Sequence, residues 1–258
     1  MASEQVYIPP ETYVLGSTIK TFQRLNYIPW ENQVHLALGR IVASQDFKHF
    51  PACDYHNLIY KLVKAPRNKQ TCADLLATLY TSWASSAGMH DARWGDKTPL
   101  NSFCLDEIYE TFPRAKYIFV QRALYDVVYS YLRMGRYRKA EAAAERWISA
   151  NHSCIKFRER NKDNVITVRY EDLTAQPNKI FASIFNFADL EFREEFLDKS
   201  VADIRMGDHN VEHYRNVKKN ISSSNVGKGK ARLSKGDFEE IGKVIMRSNI
   251  PLELQELI

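Results

Sequence analysis

Two kinds of element are predicted from the pattern of apolar and polar residues along the chain. Apolar residues recur at helical spacing through the first hundred residues, whereas two later segments are short apolar runs rich in β-forming residues. Those runs are KYIFVQ at 116–121 and NVITVR at 164–169. Helical spacing is found at 34–47, 72–83, 101–112, 126–132, 138–158, 178–187 and 235–248.

Each predicted strand is followed by a predicted helix. Short, continuously apolar strands with intervening helices are typical of parallel βα units, so the expected fold class is α/β, a parallel sheet flanked by helices. Ligands bind at the carboxyl ends of the strands in such sheets. Arg122 and Arg169 stand at those ends, where they are candidate groups for binding an anion.

The composition is that of an ordinary globular protein. The chain has 258 residues, 45% hydrophobic and 26% charged, and no repeat or low-complexity linker divides it. We expect one domain over 1–258, with a mainly helical part at 1–92 and an α/β part at 93–258. The net charge of +5 fits either a solvated surface or a basic pocket for an anion. No Arg/Lys-dense helix or zinc-finger spacing favours nucleic-acid binding.

The cysteines bear on the compartment and on metal binding. Cys53, Cys72, Cys104 and Cys154 are widely spaced and form no CxxC pair, so we expect free thiols in a reducing environment and no metal cluster. The N-terminal residues lack a basic region followed by an apolar run, and no apolar stretch reaches the length of a membrane span. The expected location is cytoplasmic.

The segment 116–134, KYIFVQRALYDVVYSYLRM, carries the clearest candidate chemistry. Arg122 leaves the strand, Asp126 opens the next helix, and Ser130 lies one turn further along. A guanidinium, a hydroxyl and a helix N-terminus together favour a phosphate group. The alternative is that Arg122 pairs with Asp126 and that Ser130 is a tolerated polar residue.

This segment resembles the 3′-phosphate motif of sulfotransferases that use 3′-phosphoadenosine 5′-phosphosulfate (PAPS). The motif has an Arg followed at the same intervals by Asp-Val and by Ser. The resemblance implies that Arg122 and Ser130 hold the 3′-phosphate of PAPS. Leu124 stands where the family often has proline.

Two further segments resemble the bacterial and tyrosylprotein sulfotransferase branch. RWGDKTP at 93–99 implies that Lys97 neutralises charge on the bridging oxygen as the sulfuryl group departs; the alternative is a surface lysine in a turn. IPPETYVL at 8–15 implies that Glu11 is the general base for the acceptor. The alternative for Glu11 is a helix-start glutamate that offsets the helix dipole.

Two later segments extend the resemblance. VRYEDL at 168–173 resembles the segment whose tyrosine lies near the adenine, so Tyr170 either stacks on a base or packs behind the strand. NVGKGK at 225–230 resembles the late loop that closes over the nucleotide, where Gly227 would let backbone amides approach phosphate oxygens and Lys228 and Lys230 would add charge. Mobile surface loops often have the same composition, and the order of all these segments is what favours the family.

The resemblance also implies an element that the sequence lacks. The family fold, related to P-loop NTPases, has a first strand and a glycine-rich phosphosulfate-binding loop that should precede residue 8, so the chain is expected to be N-terminally truncated. GSTIKT at 16–21 is not that loop, because we expect no strand before it.

The resemblance implies transfer of a sulfuryl group from PAPS to an acceptor hydroxyl or amine. Within the one expected domain, residues 1–92 would shape the acceptor side and residues 93–258 would form the nucleotide-binding part. One alternative is an inactive family member that binds a nucleotide or a partner. Another is a P-loop kinase-like enzyme that uses ATP, which lacks support because no Gly-Lys-Ser/Thr loop is present. The sequence carries no signal for the acceptor or for the oligomeric state.

Overall fold

The computed structural model describes residues 4–44, 47–198 and 220–258. The described residues group into two compact units. Residues 4–115 form most of the first unit, and residues 116–197 together with 220–258 form the second. Lys97 and its neighbours therefore belong to the same unit as the described residues of the predicted helical part.

The described residues of the first unit are mainly helical and include one pair of very short strands. Its helices and strands are β1 Val6–Tyr7, α1 Leu15–Arg24, α2 Trp30–Val42, α3 Tyr55–Val63, α4 Cys72–Ser86, β2 Arg93–Trp94 and α5 Leu105–Thr111. Single 3-10 turns lie at Phe47–His49, Arg67–Lys69 and Pro99–Phe103.

Helix α4 runs through the core of this unit. Thr71 caps it by accepting from the backbone N–H of Asp74 at 3.0 Å, which satisfies one of the free amides at the helix start. Leu75, Leu79 and Trp83 recur at a spacing of four residues and are fully buried. Because these buried apolar residues follow the helical period, the sequence pattern of 72–83 predicted a helix.

The strand before 16–21 is a feature that the sequence analysis missed. Val6–Tyr7 forms β1 and pairs in parallel with β2, Val6 opposite Arg93 and Tyr7 opposite Trp94. The prediction that no strand precedes 16–21 is therefore wrong. A strand of two residues has too few positions to show an apolar run. Residues 16–21 themselves lie inside α1, so they form a helix and not a glycine-rich loop.

The second unit contains the longer strands. Its helices and strands are β3 Tyr117–Gln121, α6 Leu124–Arg133, α7 Ala140–Arg160, β4 Val165–Arg169, α8 Tyr170–Ala175, α9 Pro177–Phe187, α10 Lys228–Arg232, α11 Lys235–Arg247 and α12 Leu252–Gln255. Single 3-10 turns lie at Lys162–Asn164, Glu194–Leu197 and Ser223–Asn225.

The predicted parallel βα arrangement is confirmed in this unit. Strands β3 and β4 pair in parallel along their full length, with Tyr117 opposite Val165 and Gln121 opposite Arg169. Arg122 follows Gln121 directly, so Arg122 and Arg169 stand at the same carboxyl edge of the strand pair. This is the edge at which parallel sheets bind ligands.

Helix α7 supplies the small residues of the second core. Ala140, Ala143 and Ala144 are fully buried and join Leu124 and Val128 of α6 in one apolar cluster with α11. Small side chains on one helix let its neighbours approach closely, and Trp147 then fills the remaining space.

The structure contains the predicted helices, but their first and last residues differ from the predicted ones. The predicted helix at 34–47 ends at Val42, and its last residues lie partly outside the described part of the chain. Much of the polar segment before α10, residues 199–219, also lies outside it. Among the described helices, none combines the length and apolar character that crossing a bilayer requires.

Candidate functional site

Glu11 and Lys97, which the resemblance assigns to catalysis, lie in direct contact in the first unit. Nζ of Lys97 donates to Oε1 of Glu11, and the hydroxyl of Tyr13 donates to Oε2. The Glu11 side chain is 10% exposed, whereas that of Lys97 is 52% exposed. A shielded carboxylate thus meets an ammonium group whose side chain reaches solvent.

The turn that carries Glu11 is held by Thr98, the neighbour of Lys97 in sequence. Oγ1 of the buried Thr98 accepts from the backbone N–H of Thr12 at 3.2 Å and from that of Tyr13 at 3.5 Å. Tyr13 has a φ of 55°, in the left-handed region that costs a non-glycine residue roughly 1–3 kcal/mol. Strained backbone of this kind persists only where its surroundings enforce it, and here Thr98 contributes that restraint.

Asp96 is a hydrogen-bonding centre that the sequence analysis did not single out. Its Oδ2 accepts from the hydroxyls of Thr12 and Tyr80, both at 2.7 Å, and its Oδ1 accepts from Nδ2 of Asn101 at 2.6 Å. Burial, and then the charge of Asp96, raise the pKa of Tyr80 well above its ordinary value. The phenol therefore stays protonated and donates. These contacts fix the backbone next to Lys97.

The alternative interpretation of Glu11 as a helix-start residue does not describe this arrangement. Helix α1 begins at Leu15 and has no acidic residue in its first turn. Lys97 does lie at the surface, between β2 and the 3-10 turn at Pro99–Phe103, but it is paired with a carboxylate from 86 residues away. The structure therefore brings the two predicted catalytic residues together.

Arg122 is the centre of the second unit's candidate site. Its NH2 group donates to the backbone carbonyl of Asn225 at 2.7 Å and lies 3.6 Å from Oδ2 of Asp126. Its guanidinium carbon lies 4.5 Å from the centre of the Tyr170 ring, a cation–π contact. Among the described residues, Nε of Arg122 is buried and has no hydrogen-bond partner.

The sequence left open that Arg122 pairs with Asp126, and this pairing is present in the structure. The ring of Tyr170 faces the same guanidinium. Arg169, across the strand pair, resembles Arg122 in one respect: within the described part of the chain its Nε is also buried without a hydrogen-bond partner. Its NH1 group lies 3.2 Å from Oε2 of Glu256. Two buried, unsatisfied guanidinium donors therefore stand at one edge of the strands, which is unusual for a folded protein.

Asp126 holds the glycine-lysine segment, a role that was missed from the sequence. It is 2% exposed; its Oδ2 accepts from the backbone N–H of Gly227 at 2.8 Å, and its Oδ1 accepts from that of Gly229 at 2.6 Å. Gly227 has a φ of 77°, which glycine adopts without strain. The backbone amide of Gly227, which was predicted to approach phosphate oxygens, therefore donates to a protein carboxylate. No sequence signal links residues a hundred positions apart.

Three other predicted residues have partners within the second unit. Ser130 lies on α6, and its hydroxyl is 3.6 Å from the sulfur of Met134. Nζ of Lys228 donates to Oδ1 of Asn225 at 2.6 Å, and Nζ of Lys230 lies 5.3 Å from the centre of the Tyr125 ring. Lys228 thus contacts the same asparagine that Arg122 contacts, whereas Ser130 and Lys230 have other partners.

Two backbone amides at the start of α6 donate to protein groups. The N–H of Ala123 donates to Oε1 of Glu171 at 3.0 Å, and that of Leu124 donates to the carbonyl of Leu257 at 2.8 Å. These two amides therefore already have protein partners at the place where the sequence predicted a helix start that binds an anion.

Comparison with known proteins gives the family. A model of the sulfotransferase family matches residues 5–194, well over half of the chain. A search of curated protein sequences finds no match. The solved sulfotransferase domain of the Synechococcus PCC 7002 olefin synthase is 20% identical, with a TM-score of 0.59 over 97% of this chain and 88% of that one.

A second solved structure has a similar fold. The sulfotransferase domain from the curacin biosynthetic pathway is 18% identical, with a TM-score of 0.57 over 97% of this chain and 91% of that one. At such identities the likeness establishes the fold, an α/β sulfotransferase fold, and the family model supplies the membership. The chain belongs to the sulfotransferase family.

Proposed function

We propose that this protein transfers a sulfuryl group from PAPS to an acceptor hydroxyl or amine. The observation that carries the proposal is the contact between Glu11 and Lys97, which joins a shielded carboxylate to a solvent-reaching ammonium group. A base and a cation side by side are what in-line transfer to a protonated acceptor needs.

The residues of the second unit fit an anionic nucleotide donor. Arg122 keeps a buried Nε that has no hydrogen-bond partner among the described residues, and Tyr170 gives an aromatic surface beside it. Lys228 adds a second cation that, like Arg122, contacts Asn225. When bound, PAPS supplies an activated sulfuryl group on a phosphate leaving group. We assign Arg122 and Ser130 to its 3′-phosphate, Tyr170 to its adenosine part, and the 227–230 segment with Lys230 to its phosphates.

Two residues carry the proposed chemistry. Glu11 accepts the proton of the acceptor hydroxyl or amine as the acceptor atom forms its bond to sulfur. Lys97 stabilises the negative charge that builds on the bridging oxygen as the bond from sulfur to that oxygen breaks. The contact places the Glu11 carboxylate beside the Lys97 ammonium group, which carries three N–H donors.

The test is a transfer assay with ³⁵S-labelled PAPS and a panel of hydroxyl and amine acceptors. Glu11→Gln keeps the size of the side chain but cannot take a proton, so we expect transfer to fall about 10²–10⁴-fold. Lys97→Ala should cost about 10²–10³-fold by removing charge stabilisation. Lys64→Ala, at another exposed lysine of the first unit, is the matched control and should leave transfer unchanged.

A second candidate function is nucleotide binding without transfer. It is favoured by one observation, that Arg122 and Glu11 are both already engaged by protein groups. This candidate requires normal binding of adenosine 3′,5′-bisphosphate, no transfer to any acceptor, and no effect of Glu11→Gln on that binding. A kinase-like enzyme would instead prefer ATP over adenosine 3′,5′-bisphosphate.

We further propose that the protein works in the cytoplasm. Cys53, Cys72, Cys104 and Cys154 are all free thiols in the structure. Burial raises the pKa of Cys72 to about 12 and that of Cys154 to about 11, so these two thiols are protonated and unreactive near neutral pH. Free thiols without disulfides are typical of a reducing compartment.

A further inference from the structure

We infer that Asp126 is a positioning residue for the donor, because one buried carboxylate holds both Arg122 and the 227–229 turn, which is the N-cap and first two residues of α10. The inference rests on the proposed function, since it assumes that these groups meet PAPS. Asp126 would not touch the donor itself. It would set the distance and orientation of the groups that do.

The first observation concerns the position of Asp126 in helix α6. Ala123 is the N-cap of this helix, so Asp126 is its third helical residue. An acid at that position ordinarily reaches back to the backbone N–H of the N-cap. Here that N–H is taken by Glu171 at 3.0 Å. The Asp126 carboxylate is therefore released from local capping and is available to a distant segment.

The second observation is that both carboxylate oxygens are used on that distant segment. Oδ1 accepts from Gly229 at 2.6 Å, and Oδ2 accepts from Gly227 at 2.8 Å. The two amides lie at the start of α10, where Gly227 is the N-cap with a φ of 77°, so both N–H groups can reach one carboxylate. Hydrogen bonds to a buried charged group are among the stronger ones in proteins.

The third observation is the close approach of Gly229 to helix α6. A Cβ at Gly229 would lie 2.1 Å from the backbone carbonyl carbon and oxygen of Tyr125 and 2.5 Å from the backbone nitrogen of Asp126. Backbone atoms cannot move aside as a flexible side chain could. The turn is therefore seated directly on the first turn of α6, and only glycine permits this seating.

The fourth observation joins this contact to Arg122. Oδ2 of Asp126, which accepts from Gly227, also lies 3.6 Å from NH2 of Arg122, and Arg122 donates to the carbonyl of Asn225. The turn, the carboxylate and the guanidinium thus form one closed set of contacts within the second unit. Loss of the carboxylate would release the turn and the guanidinium together.

If Asp126 competed with the ligand, its removal would change ligand binding in the opposite direction. If Asp126 merely competed with an anionic ligand for Arg122, removing its charge would tighten binding. If it positions the turn and Arg122, removing one of its two acceptor oxygens would weaken binding. Asp126→Asn makes this distinction because it keeps the size of the side chain, loses the charge, and points an amide donor at one of the two backbone N–H groups.

The experiment is calorimetric titration of the full chain with adenosine 3′,5′-bisphosphate. We expect Asp126→Asn to bind at least tenfold more weakly than the unaltered protein. Asp237→Asn is the matched control. Asp237 is likewise the third residue of its helix, α11, but it caps its own helix through Ser234, so this variant should bind normally.

Two further variants keep the result decisive. Gly229→Ala leaves the Asp126 charge in place but unseats the turn, and it should weaken binding in the same direction. Gly227→Ala places a Cβ where nothing lies within 4 Å, so it disturbs only the backbone conformation of the turn. It should fold even where Asp126→Asn does not, and it should weaken binding about two- to fivefold.

The outcomes separate the two proposals. An unaltered protein that does not bind adenosine 3′,5′-bisphosphate contradicts the proposed function. Normal binding by the unaltered protein, with equal or tighter binding by folded Asp126→Asn, overturns the positioning role alone. If Asp126→Asn does not fold, equal binding by Gly227→Ala overturns it instead. Faster hydrogen exchange at the amides of Gly227 and Gly229 in Asp126→Asn is the expected direct signature.

Discussion

The hydroxyl of Tyr80 provides a sharp test of how the segment around Lys97 is held. The side chain is buried, and its hydroxyl donates to Oδ2 of Asp96 at 2.7 Å. Tyr80→Phe removes that hydroxyl and leaves the ring stack on Trp94, with ring centres 4.4 Å apart, in place. Any loss of stability then reports the hydrogen bond and not the packing.

The size of the effect follows from the geometry. A hydrogen bond to a charged group contributes about 1.5–3 kcal/mol, and Asp96 keeps its other donors, Thr12 and Asn101. The phenylalanine leaves no unsatisfied donor behind, so the cost should fall at the lower end, about 1.5 kcal/mol. That corresponds to a decrease in melting temperature of about 3–6 °C. We also expect a modest loss of transfer, because Asp96 fixes the backbone beside Lys97.

The assay is urea denaturation followed by tryptophan fluorescence, supported by the transfer assay. Tyr60→Phe is the matched control, because Tyr60 is 61% exposed and its substitution should change the free energy of unfolding by less than about 0.5 kcal/mol. Equal stability of Tyr80→Phe and Tyr60→Phe would refute the reasoning. It would mean that Asp96 does not need the Tyr80 hydroxyl to hold this segment.

Three further predictions concern single residues. Arg122→Ala should weaken the binding of adenosine 3′,5′-bisphosphate about tenfold to a hundredfold by calorimetry, and an equal affinity would remove the assignment of this residue to the donor. Gly16→Ala would place a Cβ 2.5 Å from Sγ of Cys104 and should lower the free energy of unfolding in urea by about 1–3 kcal/mol. Gly39→Ala, in helix α2 with nothing within 4 Å, should raise it by about 0.5–1 kcal/mol. A change of the same sign in both variants would contradict the packing argument. Partial burial raises the pKa of Cys72 to about 12, so at pH 8 its thiol should react with a disulfide reagent far more slowly than free cysteine, and rapid reaction in the folded protein would contradict the raised pKa.

The strands and helices that carry a clear periodicity could be predicted from the sequence. KYIFVQ and NVITVR became β3 and β4 because a short run of apolar, β-forming residues predicts a strand without knowledge of its partner. Strand β1 was missed, since its two residues leave no pattern to detect. Helix α10, five residues long and rich in lysine and glycine, has no apolar stripe and was interpreted as a loop.

The candidate site was predictable in part for a different reason. Glu11 and Lys97 were identified by resemblance, and their contact across 86 residues follows from the fold and not from any local spacing. The role of Asp126 was not predictable, because its partners lie a hundred residues away and an acid in the first turn of a helix ordinarily serves that helix. Asp96 was missed for the same reason, since its donors come from three separate segments.

The measurement that tests the central claim most directly compares the binding of three nucleotides to the unaltered protein. Calorimetric titration with adenosine 3′,5′-bisphosphate, adenosine 5′-monophosphate and ATP isolates the contribution of the 3′-phosphate. If Arg122 and its neighbours form a PAPS site, adenosine 3′,5′-bisphosphate should bind at least tenfold more tightly than each of the others. Equal affinity for all three, or a preference for ATP, would contradict the assignment of PAPS as the donor.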